Sequence, residues 1–366
     1  MDDNNFQNFL QLCHYAGGRF DLVQAGGGNA GTKIANDAML VSQGIGCVLS
    51  ETTEKLGYVS VDPHKIADVL ADQRLCPIAS PESSLKEKTA IANSAVKEAN
   101  ETPEIKPTAE VFLHALLPFK HTLHLHPVVI NAILIRSDAK DIVADLFPEA
   151  GFVEYGAPGL EVSAMFGKYM QQLAKAGQEV PNLYFMKSHG IMVGHDELSG
   201  LIDIIECMLD SAEAYFGMTN TAYRDATKIA ALFQQVSGKS CIAHPSGDHV
   251  INRMYREDKE AFFFTPCYPD QYVYNGVTPL ELNQLDAGEI ATYQAENNGL
   301  FPSVVVYHGN VYFVSANLKI AHELEEVFKS HLLIISMNKG SRDKIDTLDS
   351  VLHDILFSAN PLNRYS

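Results

Sequence analysis

The segment His121–Pro127, HTLHLHP, does most to limit the folds open to this chain. Pro118 and Pro127 enclose it. Proline lacks the backbone donor that regular structure needs, so an element begins after the first and ends at the second. The residues between alternate with period two, the pattern of a short strand. Upstream, PTAEVFLHALLP reads as a helix bounded by Pro107 and Pro118. Downstream, VVINAILI reads as a helix after Pro127. A strand framed by helices points to the α/β class.

Histidine is a poor filler for such a strand. His124 and His126 share one face, with Cβ atoms about 6–7 Å apart in strand geometry. One metal ion can sit between them. His121 has the opposite parity and faces away. A catalytic zinc site generally takes a third protein ligand and keeps an open position. His189, in KSHGIMVG, is the best candidate because it precedes a glycine at a strand–turn junction. Glu110 opens the helix that feeds the histidine strand. Its carboxylate reads either as a helix-start charge that suits the macrodipole or as a general base beside a metal.

The stretch GGGNAG (Gly26–Gly31) reads as a tight turn. Its backbone N–H groups can cradle an anion, or it is a plain glycine-rich hairpin. Its spacing matches neither the dinucleotide fingerprint nor the P-loop.

The 366 residues suggest two domains, and a 46% hydrophobic composition is enough for a sizeable core. Asn5 is placed to cap a first helix that ends at Ala16–Gly18. FDLVQA, TKIA, AMLVSQ and YVSVDP read as strands, and HKIADVLADQ as a helix. Residues 80–106 suit a surface helix flanked by loops. LEVSAMFGKYMQQLAKAG and LSGLIDIIECMLDSAEAYFG read as amphipathic helices, with NLYFMKSHGIMVGHD between them as strand, turn, strand. A boundary falls near VSGKSCIAHP, giving a domain over 1–240 and an α/β extension over 241–366. The extension contains a hairpin turning at Gly309–Asn310 and the helix KIAHELEEVFKSHLL. His244 and His249, five positions apart, fit neither one helix face nor one strand face.

A net charge of −18 argues against nucleic acid and against anionic membrane surfaces. No apolar run approaches the roughly 20 residues of a membrane span. The acidic N-terminal residues lack a signal peptide's basic region, so a cytoplasmic location is expected. The six cysteines are scattered, with no CxxC pair, which argues against a thiolate zinc site.

Taken in order, GGGN, P-T-A-E, H-x-H-P and S-H-G resemble the class II aldolase/adducin family, over roughly residues 5–235. This family includes the fuculose-phosphate and rhamnulose-phosphate aldolases. The resemblance implies a three-layer α/β fold, with a central mostly antiparallel sheet covered by helices. It implies Zn2+, or another divalent metal, on His124, His126 and His189, and Glu110 as catalytic acid/base. It implies a phosphate site from Gly28, Asn29, Ser42, Gly44 and Thr108. Members often carry a hydroxyl directly after the asparagine; here Ala30 and Gly31 follow, and Thr32 is the nearest replacement. The implied reaction is retro-aldol cleavage of a ketose 1-phosphate to dihydroxyacetone phosphate and an aldehyde, in a homo-oligomer, commonly a tetramer. The same ligand triad also serves epimerases, sugar-phosphate dehydratases and decarboxylases. Adducin-like interaction modules share the scaffold without catalysis, and a regulatory protein that keeps zinc for structure is a further alternative.

Overall fold

The computed structural model describes residues 3–70, 82–102 and 104–348. The chain divides into two compact units, Met1–Thr219 and Asn220–Ser366.

The first unit runs α1 (Asp3–Gly17), β1 (Asn29–Ile34), β2 (Met39–Gln43), β3 (Tyr58–Val61), α2 (Pro63–Leu70), α3 (Glu82–Ala99) and α4 (Val111–Leu116). It continues with β4 (His121–Leu125), α5 (Val128–Leu134), α6 (Ala139–Leu146), β5 (Gly151–Val153), α7 (Leu160–Ala176), β6 (Leu183–Met186), β7 (Gly190–His195) and α8 (Leu198–Phe216). The strands form one sheet, ordered β3-β2-β1-β4-β7-β6-β5. All pairs are antiparallel except β5 with β6. Strand alternation sends Leu123, Leu125, Ile191 and Val193 to one face, where they pack with α1, α5 and α8. Tyr184, Met186 and Met192 go to the other, under α4 and α7. The result is the expected three-layer α/β fold, with α2 and α3 over Val59 and Val61 on the second side.

The second unit runs α9 (Thr221–Ser237), β8 (Ile242–Pro245), α10 (His249–Glu257), α11 (Lys259–Phe262), α12 (Pro269–Asn275), β9 (Leu280–Glu281), α13 (Ala287–Glu296), β10 (Val304–Tyr307), β11 (Asn310–Ser315) and α14 (Leu318–Met337). Its sheet is ordered β8-β11-β10-β9. One face packs on α9 and α13 and the other on α10, α11 and α14. Among the described residues, no helix is long and apolar enough to cross a membrane.

Several expectations need correction. The units meet at 219/220, not 240/241. Helix α9 buries Ile229 and Phe233 against Ala243 and Tyr312, so it belongs with the second sheet. FDLVQA is an irregular loop; Leu22 and Val23 are buried in it without joining the sheet. The tight turn stops before Asn29, which opens β1. Asn5 lies inside α1. The second hairpin turns at His308–Gly309, both at positive φ (47° and 76°), the conformation of a two-residue strand connection. The expected helix beyond Leu70, Cys76 and the residues after 348 lie outside the described residues.

Candidate metal centre

His124 sits mid-sheet, opposite Asn29 of β1 and Met192 of β7, and is 1% exposed. Its Nδ1 lies 2.8 Å from the carbonyl oxygen of Ile191. A carbonyl only accepts, so Nδ1 carries the proton and Nε2 presents a lone pair. That lone pair lies 3.0 Å from Nε2 of His126 and 3.2 Å from Nε2 of His189. Burial holds His124 well below the usual histidine range, with the two neighbouring rings adding to the effect. Burial lowers His126 as well. Three neutral rings thus aim one nitrogen each at a common point, and His124 can accept a proton from only one neighbour. A divalent ion satisfies all three lone pairs at once, and the ring that donates to Ile191 is the kind of outer support that metal-bound histidines usually have. The residues fit a metal.

Local structure explains the convergence. His126 leaves β4 with its N–H on Leu22 O at 3.0 Å, and Val128 N–H follows onto Asp21 O at 3.0 Å. The loop that receives them is held by buried Arg19, whose guanidinium binds both oxygens of Asp21 at 3.1 and 2.6 Å and also contacts Glu206. Next along that loop, Gly28 (φ +72°) lies so close to β4 that a Cβ would stand 2.8 Å from His124 O. His189 is presented by the connection between β6 and β7. Ser188 there takes a left-handed conformation (φ +54°). Its N–H donates to Leu134 O at 3.2 Å, and Lys187 Nζ donates to the same carbonyl at 2.9 Å and to Arg136 O, which anchors the turn to the end of α5. Gly190 follows because a Cβ would meet Leu125 O at 2.3 Å.

Glu110 is the N-cap residue of α4, half-buried, yet its side chain makes no cap hydrogen bond. The carboxylate is therefore not spent on the helix end. It acts on His189, partly offsetting the lowering that burial and His126 impose on that ring.

The anion-site residues divide. The β1–β2 register ends with Gly31 opposite Ser42, while Asn29 pairs with His124 on the other side of β1. Beyond the Gly31–Ser42 pair, Gly44 bridges Pro107, and Ile45 N–H donates to Lys106 O at 2.8 Å. Thr108 follows Pro107, and among the described residues its buried Oγ1 has no hydrogen-bond partner. Gly28 and Asn29 border the cluster, both against His124. Three others have different work. Thr32 shares the face of His121, its Oγ1 3.1 Å from that ring's Nδ1, so strand parity turns it away from Asn29. Ser42 donates to Ala30 O at 3.1 Å. Gly44 gives its N–H to Gly57 O, and Ile105 would stand 2.5 Å from its Cβ. These are scaffold contacts.

One residue was missed. His114 of α4 is fully buried, with Nε2 2.6 Å from Asn29 Oδ1 and Nδ1 2.6 Å from Thr122 Oγ1. Burial pushes its pKa down to about 3, so the ring is neutral. Nε2–H donates to Asn29 and Nδ1 accepts from Thr122, which orients the asparagine and leaves its amide N–H groups to donate elsewhere. The available signal was spacing: His114 lies one helical turn after Glu110.

No known family's sequence profile matches the chain. A stretch of 111 residues is 28% identical to the uncharacterized oxidoreductase YuxG of Bacillus subtilis; it covers 30% of this chain and only 15% of that protein's length. Among solved structures, the chain is similar to the N-terminal class II aldolase domain of a conserved protein from Thermoplasma acidophilum, at 20% identity, with 57% of this chain and 92% of that one covered and a TM-score of 0.46. It is similar to an L-fuculose 1-phosphate aldolase at 14% identity, covering 59% and 86% with a TM-score of 0.39. A sugar-phosphate aldolase from Thermotoga maritima matches at 12% identity, covering 59% and 98% with a TM-score of 0.38. All three carry aldolase names.

Proposed function

We propose that this chain is a zinc-dependent carbon–carbon lyase that cleaves a ketose 1-phosphate into dihydroxyacetone phosphate and an aldehyde. The observation that carries this reading is the convergence of the His124, His126 and His189 Nε2 atoms at one point. In this reading the three histidines hold the ion. Bound there, it supplies Lewis acidity to the carbonyl and adjacent hydroxyl oxygens of the substrate, where charge grows as the bond breaks. Three neutral imidazoles leave the ion's charge undiminished.

The chain's own groups do the rest. Glu110, uncommitted to its helix end, takes the proton from the substrate hydroxyl or returns one to carbon. Asn29, oriented by His114, donates to the phosphate together with the Gly28 turn, and the unpartnered Thr108 hydroxyl donates beside them. Holding the phosphate fixes the reacting carbons relative to Glu110 and makes the step effectively unimolecular. The reading carries over a homo-oligomeric, tetrameric assembly, which light scattering measures.

The test is to incubate zinc-loaded protein with a panel of ketose 1-phosphates and measure dihydroxyacetone phosphate. Release by the wild type and none by His126→Ala is expected. An epimerised, dehydrated or decarboxylated product with no dihydroxyacetone phosphate overturns the aldolase reading in favour of that other reaction on the same ligands.

A further inference from the structure

The second unit holds another group of ligand-type side chains, with no part in the site above. His244 lies in β8 opposite Phe313, and parity sets it on the face of Ile242, which packs with α14. From α14, His322 and Glu325 stand one turn apart. The His244 and His322 rings meet edge-on, with centroids 4.7 Å apart. His322 Nδ1 lies 3.7 Å from Glu325 Oε2, and one ligand atom from each of the three residues lies within 4.8 Å of the others.

A simple His322–Glu325 ion pair accounts for two of these groups and leaves the third unexplained. Among the described residues, neither ring nitrogen of His244 has a hydrogen-bond partner, although the residue is only partly exposed. Glu325 is also supported as a ligand is. Ser246 Oγ donates to its Oε1 at 2.5 Å, leaving Oε2 directed at the histidines. Lys329, one turn further along α14, is engaged by Asp248 at 2.5 Å and does not neutralise Glu325.

We propose that His244, His322 and Glu325 form a second divalent-metal site, for an ion of the zinc class, that ties β8 to α14. Two imidazoles and one carboxylate suit Zn2+, Co2+ or Ni2+ better than Ca2+ or Mg2+. Bonds of about 2.0–2.2 Å set tetrahedral ligand atoms about 3.4 Å apart, so His322 Nδ1, now 3.7 Å from Glu325 Oε2, has to move only slightly towards it. His322 is 54% exposed and has the freedom to do so. Its exposure also leaves remaining coordination positions to water.

The experiment uses the full chain in two backgrounds, wild type and His126→Ala, each with and without His322→Ala. Proteins are stripped with chelator, dialysed against zinc chloride and analysed for bound metal and thermal unfolding. His322→Ala is expected to remove roughly one zinc ion per chain in either background. In the His126→Ala background, zinc is expected to raise the unfolding temperature, and the added His322→Ala to abolish that rise. Glu325→Gln, which keeps the bond from Ser246, is expected to weaken zinc binding at least tenfold. Equal zinc content and equal melting with and without His322→Ala overturns the proposal. The interior cluster is scored separately by wild type against His126→Ala, so either site can fail alone.

Discussion

The two histidine clusters, one in each unit, are built in opposite ways. The first grows from the interior of a sheet. His124 is fixed by the Ile191 carbonyl, His126 by the loop that Arg19 and Asp21 secure, and His189 by a turn anchored on α5, so the Nε2 atoms are already 3.0 and 3.2 Å apart. The second lies at a strand end and on one helix face. There His322 Nδ1 lies 3.7 Å from Glu325 Oε2, and the His322 ring is more than half exposed. A preorganised set gives fixed geometry for chemistry. A loose set that closes on an ion yields stability of the surrounding structure. The difference points to catalysis in the first unit and cross-linking in the second.

The largest effect that sharpens this contrast comes from His126→Ala. Turnover of ketose phosphates is expected to fall to background, with the zinc of the first cluster lost and the fold retained by circular dichroism. Full activity in this variant breaks the contrast at its stronger end.

His114→Ala tests how far preorganisation extends beyond the ligands. It leaves the Asn29 amide oxygen buried without its donor and the Thr122 hydroxyl without its ring, at a cost of about 1–3 kcal/mol in stability. Denaturant melts read that loss. If the ring orients Asn29 for the phosphate, KM rises more than kcat falls. An equal fall in kcat with KM unchanged assigns His114 to packing around Glu110 instead.

A smaller effect concerns pH and both units together. Burial lowers His114 to about 3 and His331 of α14 to about 4. Below about pH 6.5 the unfolded chain takes up these protons and the native one does not, so stability is lost as pH falls from about 6.5 towards 4. The metal-free protein should therefore have a lower urea midpoint at pH 5 than at pH 7, and His331→Leu should reduce the difference. An unchanged midpoint removes these rings from the stability account.

Much of the first site was legible because strand parity is local. The period-two spacing of His124 and His126 and the opposite parity of His121 need only the residues between Pro118 and Pro127. Glu110, at the start of the helix that feeds the strand, and His189, before a glycine at a strand–turn junction, stood out by position, and motif order supplied the roles they are expected to have. Features set by tertiary contacts were not legible. FDLVQA has a strand-like composition, but Arg19 and Asp21 hold it as a loop against the end of β4. Thr32 follows Asn29 by an odd number of strand steps and so lies on the other face. Gly44 looks like an anion-site glycine until Ile105 is seen against it. The His244, His322 and Glu325 group joins segments far apart in sequence, and the readable local pairing, His244 with His249, was a different one.

The most direct test of the central account compares zinc-loaded wild type with Glu110→Gln for exchange of solvent deuterium into dihydroxyacetone phosphate. It reports proton transfer at carbon without knowledge of the aldehyde. The near-isosteric amide should leave the fold and zinc content unchanged. Exchange should fall by roughly 10²–10⁴-fold, the usual worth of a general acid–base group. Exchange by the wild type that persists undiminished in Glu110→Gln, with zinc still bound, contradicts the account.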